Sequence, residues 1–153
     1  MSHPITGNRR SVVIYSLVWL MVSVTQGVLY HYFLHFSLAV LVSDALTSNL
    51  LFGFLGLLAW YPTRYIPFQR QSPLYSILAH VVAGIVVMGI WVLLTVGILN
   101  ALFASQTDYT EFLNQTVAWR AMLGGLIYLV LVLIYYLVSN NQKLQERLQQ
   151  EER

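Results

Sequence analysis

The sequence predicts an all-α fold: an integral membrane bundle of four transmembrane helices, with the last helix extending into a cytoplasmic coiled-coil linker. Three observations carry this. Apolar residues make up 58% of the chain and charged residues only 9%, far below the roughly 25% with which a soluble domain covers its surface. The apolar residues fall in four runs of about 20, enough to cross a hydrocarbon core ~30 Å thick. The last run then passes into Asn, Gln, Lys and Glu with no Pro or Gly to stop a helix. Transmembrane β-strands would be about ten residues long and alternate in polarity; these runs do neither.

The first span covers roughly residues 11–30. Arg9 and Arg10 precede it as they would a signal peptide. It is longer than a typical apolar signal core and lacks a clear small-residue cleavage site, so it reads as retained. The second span, roughly 36–60, follows within a few residues, so the first two helices must form an antiparallel hairpin. The connection from Pro62 to Pro73 holds three prolines, which cannot continue a helix. Its Tyr65 and Phe68 fit the membrane interface. The third span covers about 77–103 and the fourth about 117–138. Between them, the segment 104–116 can form a short interfacial helix.

Seven of the eight basic residues, Arg9, Arg10, Arg64, Arg70, Lys143, Arg147 and Arg153, fall on the side shared by both termini. Only Arg120 lies towards the other side. Positive charge marks the cytoplasmic face of short loops, so both termini are expected there. A net charge of +2 scattered at membrane edges gives no basis for nucleic-acid binding.

The fourth span sets the output end. Leu123, Val130, Leu137 and Leu144 alternate with Ile127, Ile134, Asn141 and Leu148 at spacings of four and three, the seam of a coiled coil. Beyond Val138 the only apolar residues are Leu144 and Leu148, and both lie on the seam. Asn141 occupies a position where a polar residue can fix register and dimer state. The competing reading is a frayed polar tail. Residues 1–138 thus form the bundle and residues 139–153 the start of the linker.

No Gly-rich phosphate loop, zinc-binding HExxH or GxSxG elbow occurs, so nothing in the chain could hold ATP. The absence of cysteine removes thiolate and disulfide chemistry. His31 and His35 stand four apart, which on a helix places both imidazoles on one face. They could share a metal or a proton, with Asp44, Asp108 or Glu111 completing the set. The plainer alternative is an aromatic belt with Tyr30, Tyr32 and Phe33. Asp44 lies inside the second span, where a carboxyl group must face a partner, a cavity or the bundle interior. Poor solvation there favours the protonated form, and Arg120 is the candidate counter-charge on that side. A latch between helices ranks ahead of a ligand or proton site. His80 in the third span reads as a packing or interfacial group, and Gly124 and Gly125 as a close crossing.

The run WRAMLGGLIYLVLVLIYYLVSNNQKLQERLQQEER resembles the last span and linker of bacterial LytS-like sensor histidine kinases. The stretch SPLYSILAHVVAG, a proline-led apolar span with an early His, is similar to that family's third span. The resemblance implies the membrane sensor of a two-component system in the bacterial inner membrane, a homodimer whose fourth helix drives a cytoplasmic kinase. The family's phosphoacceptor box and nucleotide-binding domain do not occur here, so it implies a fragment of a longer protein. ATP, Mg and a response regulator would then be engaged only through that further domain; this chain itself calls for no cofactor and for lipid as its surroundings. Asp44, Arg120, His31 and His35 are the expected sensing residues, and Leu137, Asn141, Leu144 and Leu148 the expected dimer and transduction seam. The alternative is a small transporter or channel subunit with Asp44, Asn49 and His80 along a polar path.

Overall fold

A computed structural model describes residues 3, 5–65 and 72–151. Phe68, Arg70 and Arg153, which the sequence assigns to membrane edges and the tail, lie outside the described residues. Helices α1 (Arg9–Phe33), α2 (Leu38–Gly56), α4 (Pro73–Leu102) and α6 (Val117–Glu151) are the long elements. A 3-10 turn (Leu57–Ala59) and α3 (Trp60–Tyr65) prolong α2, and α5 (Thr107–Gln115) joins α4 to α6. No strand occurs among the described residues. Four helical segments are long and apolar enough to cross a membrane, Arg9–Phe33, Leu38–Tyr65, Leu74–Leu102 and Val117–Glu151, the architecture of a multi-pass membrane protein.

The chain packs in sequence order, α1 on α2, α2 on α4 and α4 on α6. The inner face of α6 is Arg120, Gly124, Tyr128, Val132 and Tyr135, a spacing of four, four, four and three that keeps one stripe towards the bundle. It meets Phe52, Trp60, Val87, Met88 and Trp91 in one core cluster. Helix α1 is peripheral and buries only Trp19 and Ser23. Its Leu, Val and Ile side chains face outward, where lipid is the fitting solvent.

Glycine decides where α6 sits. A Cβ on Gly124 would collide with Met88 and the Trp91 ring, whereas a Cβ on Gly125 would meet open space. Gly124 is therefore a close crossing of α6 on α4, whereas Gly125, which the sequence groups with it, is not.

The second span departs from expectation. The helix runs through Pro62 to Tyr65, so Pro62 does not terminate it. Proline lacks an N–H and its ring crowds the carbonyl four residues back, here Leu58. The backbone answers by tightening just before it: the N–H of Leu57 bonds to the Phe54 carbonyl and that of Trp60 to the Leu57 carbonyl, a three-residue rather than four-residue reach. That shift turns the N–H groups of Leu57 and Trp60 away from the carbonyls of Gly53 and Gly56, four residues before them. Side chains from other elements reach those carbonyls. Tyr15 Oη donates to Gly53 O at 2.6 Å and Tyr135 Oη to Gly56 O at 3.2 Å.

The N-terminal segment seals the same place. His3 Nδ1 accepts from the N–H groups of Ile5 and Thr6, both at 3.2 Å. The ring proton is then on Nε2, which donates to Leu57 O at 3.1 Å. The His3 ring also lies edge-on to Trp60 and Tyr135. Residues at the start of the chain, at the end of the second span and in the lower half of α6 thus share one end, called here the basic end. Helix α5 closes the other.

Candidate functional site

The α5 end is built around two charges from distant parts of the chain. Asp44 lies one and a half turns into α2, and Arg120 is in the first turn of α6. Their side chains are 1% and 6% exposed, and a charge so far from water must be neutralised by a partner. The two meet as a fork: Arg120 Nη2 donates to Asp44 Oδ2 at 2.6 Å and Nη1 to Oδ1 at 2.8 Å. Two parallel bonds fix orientation as well as charge. Arg120 supplies the counter-charge that the sequence left open for Asp44.

Neighbouring groups complete the set. Arg120 Nη1 also donates to Ser48 Oγ at 3.1 Å and Nε to Thr116 Oγ1 at 3.2 Å. Ser48 Oγ in turn donates to Asp44 Oδ1 at 3.1 Å. From above, Tyr109 Oη donates to Asp44 Oδ2 at 3.0 Å. Tyr109 stands outside the spans, yet burial, reinforced by the adjacent carboxylate, pushes its hydroxyl well above the ordinary phenol range. It is held as a proton donor to Asp44.

Helix α5 reaches this position because its apolar side chains share one face. Tyr109 and Leu113, one turn apart, pack with Val40 and Leu99 in a second core cluster, rimmed by Phe36, Phe103 and Phe112. Asp108 and Glu111 face outward, and Glu111 accepts from Gln115 Nε2 at 3.0 Å. The short helix expected in this segment is therefore a lid over the ion pair.

Beside the pair lies a cavity of about 710 Å³ between α1 and α6, open on one side and floored by Ser48, Asn49, Phe52 and Trp91. Gly124 lines it where α6 meets α4. Asn49 Nδ2 donates to Gln26 Oε1 at 2.7 Å and Trp91 Nε1 to Ser48 O at 2.7 Å, so the floor is tied to both the ion pair and α1.

Of the four expected sensing residues, the structure brings together Asp44 and Arg120. His31 and His35 do not join them. Helix α1 ends at Phe33 and Leu34 is extended, so the helical spacing that would set both imidazoles on one face is broken between them. Both are exposed. Among the described residues no group of three metal-ligating side chains forms. His80 is buried, its Nε2 2.8 Å from Tyr136 Oη. The polar path imagined for a transporter is interrupted: on α4 the inward residues Val87, Met88 and Trp91 separate His80 from the layer of Asp44 and Asn49, packed in one apolar cluster with Phe52.

Tyr109, Ser48, Thr116 and Gln26 were not singled out from the sequence as part of one site. The available signal was the period of α5, where Tyr109, Phe112 and Leu113 mark a face that needs covering. No protein-family model, curated protein or solved structure matches the chain.

Proposed function

We propose that this chain is the membrane sensing and transducing region of a two-component sensor histidine kinase of the bacterial inner membrane. Both termini would be cytoplasmic, since the described basic residues Arg9, Arg10, Arg64, Lys143 and Arg147 lie at the end opposite the α5 lid. The stimulus is read at the Asp44–Arg120 layer and its cavity. The output is a displacement or rotation of α6, which shifts a dimer between two arrangements.

One observation carries this reading. Helix α6 runs unbroken for 35 residues, about 52 Å at a rise of ~1.5 Å per residue. The hydrocarbon core takes up only about 30 Å of that. Arg120 and Leu148 therefore ride on one rigid element. Its seam residues Leu123, Ile127, Val130, Ile134, Leu137, Asn141, Leu144 and Leu148 all face away from the bundle core. Within the membrane, lipid is cover enough. Beyond Val138, Leu144 and Leu148 are 55% and 45% exposed on a water-facing rod, and a second copy of the same seam is the cover that continues the pattern.

The cysteine-free chain gives a clean test. Single substitutions Leu137→Cys, Leu144→Cys and Leu148→Cys should yield disulfide-linked dimers in membranes, whereas Gln142→Cys and Gln149→Cys on the opposite face should not. With a histidine-kinase core joined after Arg153, inserting two residues between Val138 and Leu144 should scramble autophosphorylation. Inserting seven, a whole heptad, should restore it. Equal crosslinking on both faces, or indifference to the two-residue insertion, defeats the proposal.

A further inference from the structure

The cavity beside the ion pair is graded in polarity, and its three walls are graded in the same sense. On α1, Gln26 and Tyr30 line the end nearest the α5 lid, and Val18 and Val22 the deeper end. On α2, Ser48 and Asn49 come first and Phe52 lies a turn deeper. On α6, Trp119 and Arg120 give way to Leu123 and Ile127. From Val18 to Tyr30 the wall extends about 18 Å along α1, roughly one leaflet of a hydrocarbon core ~30 Å thick. Polar at the surface and apolar towards the midplane is the profile of a lipid-like molecule standing in its own leaflet.

The head-group chemistry follows from the charges and donors present. Asp44 and Arg120 neutralise one another, so the site offers no net counter-charge to an ionic head leaving water. Four of the five guanidinium N–H groups are engaged, by Asp44 twice, Ser48 and Thr116. No described residue accepts the fifth, on Nη2. Gln26, Tyr30 and Trp119 bring further N–H and O–H groups to the same end. The match is an uncharged head rich in oxygen acceptors. The volume, about 710 Å³, falls within the range of small-molecule sites, about 300–1,000 Å³. A helix from a second copy, at least ~10 Å across over the same length, would need roughly twice that space.

We infer that this cavity binds one single-tailed, uncharged amphiphile, its oxygen-bearing head beside Gln26, Asn49 and Arg120 and its tail directed towards Val18 and Ile127. Its standing as the stimulus rests on the transducer reading above, whereas its binding does not. Leu123 and Ile127 belong both to the cavity wall and to the α6 seam, so an occupant touches the element that carries the output.

The test uses the purified chain in phosphatidylcholine nanodiscs with a monoacylglycerol carrying a diazirine on its tail. Irradiation should label α1 between residues 18 and 30 and α6 between 119 and 127, saturably, and excess unlabelled monoacylglycerol should suppress the labelling at least tenfold. Val22→Trp, which fills the cavity, should lower labelling by a similar factor. Val82→Trp on the exposed face of α4 should not, and thermal melts of both variants control for folding. Gln26→Leu leaves the space and removes a head-group donor; it should weaken saturation at least threefold. Labelling that never saturates and follows lipid exposure around α1, α4 and α6 overturns the inference, as does a Val22→Trp variant labelled like the wild type. A fatty-acid probe that competes better than monoacylglycerol overturns the uncharged head. Failure here with the heptad-insertion pattern intact removes the site and leaves the transducer, while the reverse result leaves the site and removes the transducer.

Discussion

The two ends of this bundle solve the same problem by opposite means. At the α5 end, α2 and α6 are joined by a full charge pair, Asp44 with Arg120, under a lid that adds Tyr109. At the basic end the same two elements are joined by neutral groups, with the hydroxyl of Tyr135 on the Gly56 carbonyl beside a 3-10 turn. The first junction is strong and intolerant of losing one partner. The second is a set of modest bonds, each replaceable, around a turn of the kind that often marks a hinge. The contrast suggests a fixed point near the lid and a compliant one where α6 leaves the membrane.

The sharpest way to break the comparison is to remove one charge. Arg120→Met should destabilise the bundle by about 3–5 kcal/mol, because Asp44 is left buried and unpaired. The double variant Asp44→Asn with Arg120→Met should recover much of that loss in thermal unfolding of the detergent-solubilised protein. If the single and double variants melt alike, the α5 end is not held by its ion pair.

The next effect tests how α6 is placed. Gly124→Ala should cost about 1–3 kcal/mol, since the added methyl meets Met88 and Trp91. Gly125→Ala, next to it, should stay within about 0.5 kcal/mol of wild type because its Cβ enters open space. Equal effects at the two positions would mean that α6 is rotated from the arrangement described above.

Smaller still are the hydroxyl bonds of the basic end. Tyr15→Phe and Tyr135→Phe should each cost about 0.6–1.7 kcal/mol, the range for hydrogen bonds between membrane helices. Amide exchange should quicken around residues 56–60 more than around residues 44–49. A uniform response would erase the distinction between a compliant end and a fixed one.

Tyr109 tests the lid by its pH dependence. Its folded-state value lies above that of the unfolded chain, so its contribution is complete below the ordinary phenol value of about 10. That contribution erodes as the pH climbs beyond it, because the unfolded state then releases the proton first. Tyr109→Phe should lower stability by about 1.5–3 kcal/mol at neutral pH, the range for a bond to a charged group, and flatten part of the decline between roughly pH 10 and 12. A variant whose alkaline decline matches wild type would show that Tyr109 does not titrate against Asp44.

What was legible in the sequence divides along the same line. Asp44 and Arg120 stand out because a charge in an apolar run must find an opposite charge, and the chain offers few candidates. The four spans were legible for the same reason of solvent: only long apolar runs fit hydrocarbon. The basic end was not. Hydroxyl-to-carbonyl bonds such as those of Tyr15 and Tyr135 leave no mark in a chain where tyrosine is common at membrane edges. Pro62 signalled a break, but whether a helix stops or tightens and continues depends on side chains from elsewhere. The spacing of His31 and His35 misled because it counted residues across Leu34, where the backbone is already extended.

The thin packing of α1 has one more consequence. A helix that buries only Trp19 and Ser23 meets the bundle almost entirely through α2, by Tyr15 on Gly53 O and Asn49 on Gln26. The four-residue turn after Phe33 and the anchored His3 add to those contacts by keeping its effective concentration high. Severing the chain between Leu34 and Ser37 would make that contact bimolecular at one end. Helix α1 would then become an exchangeable part, able to leave the side of the cavity it walls while α2, α4 and α6 remain assembled.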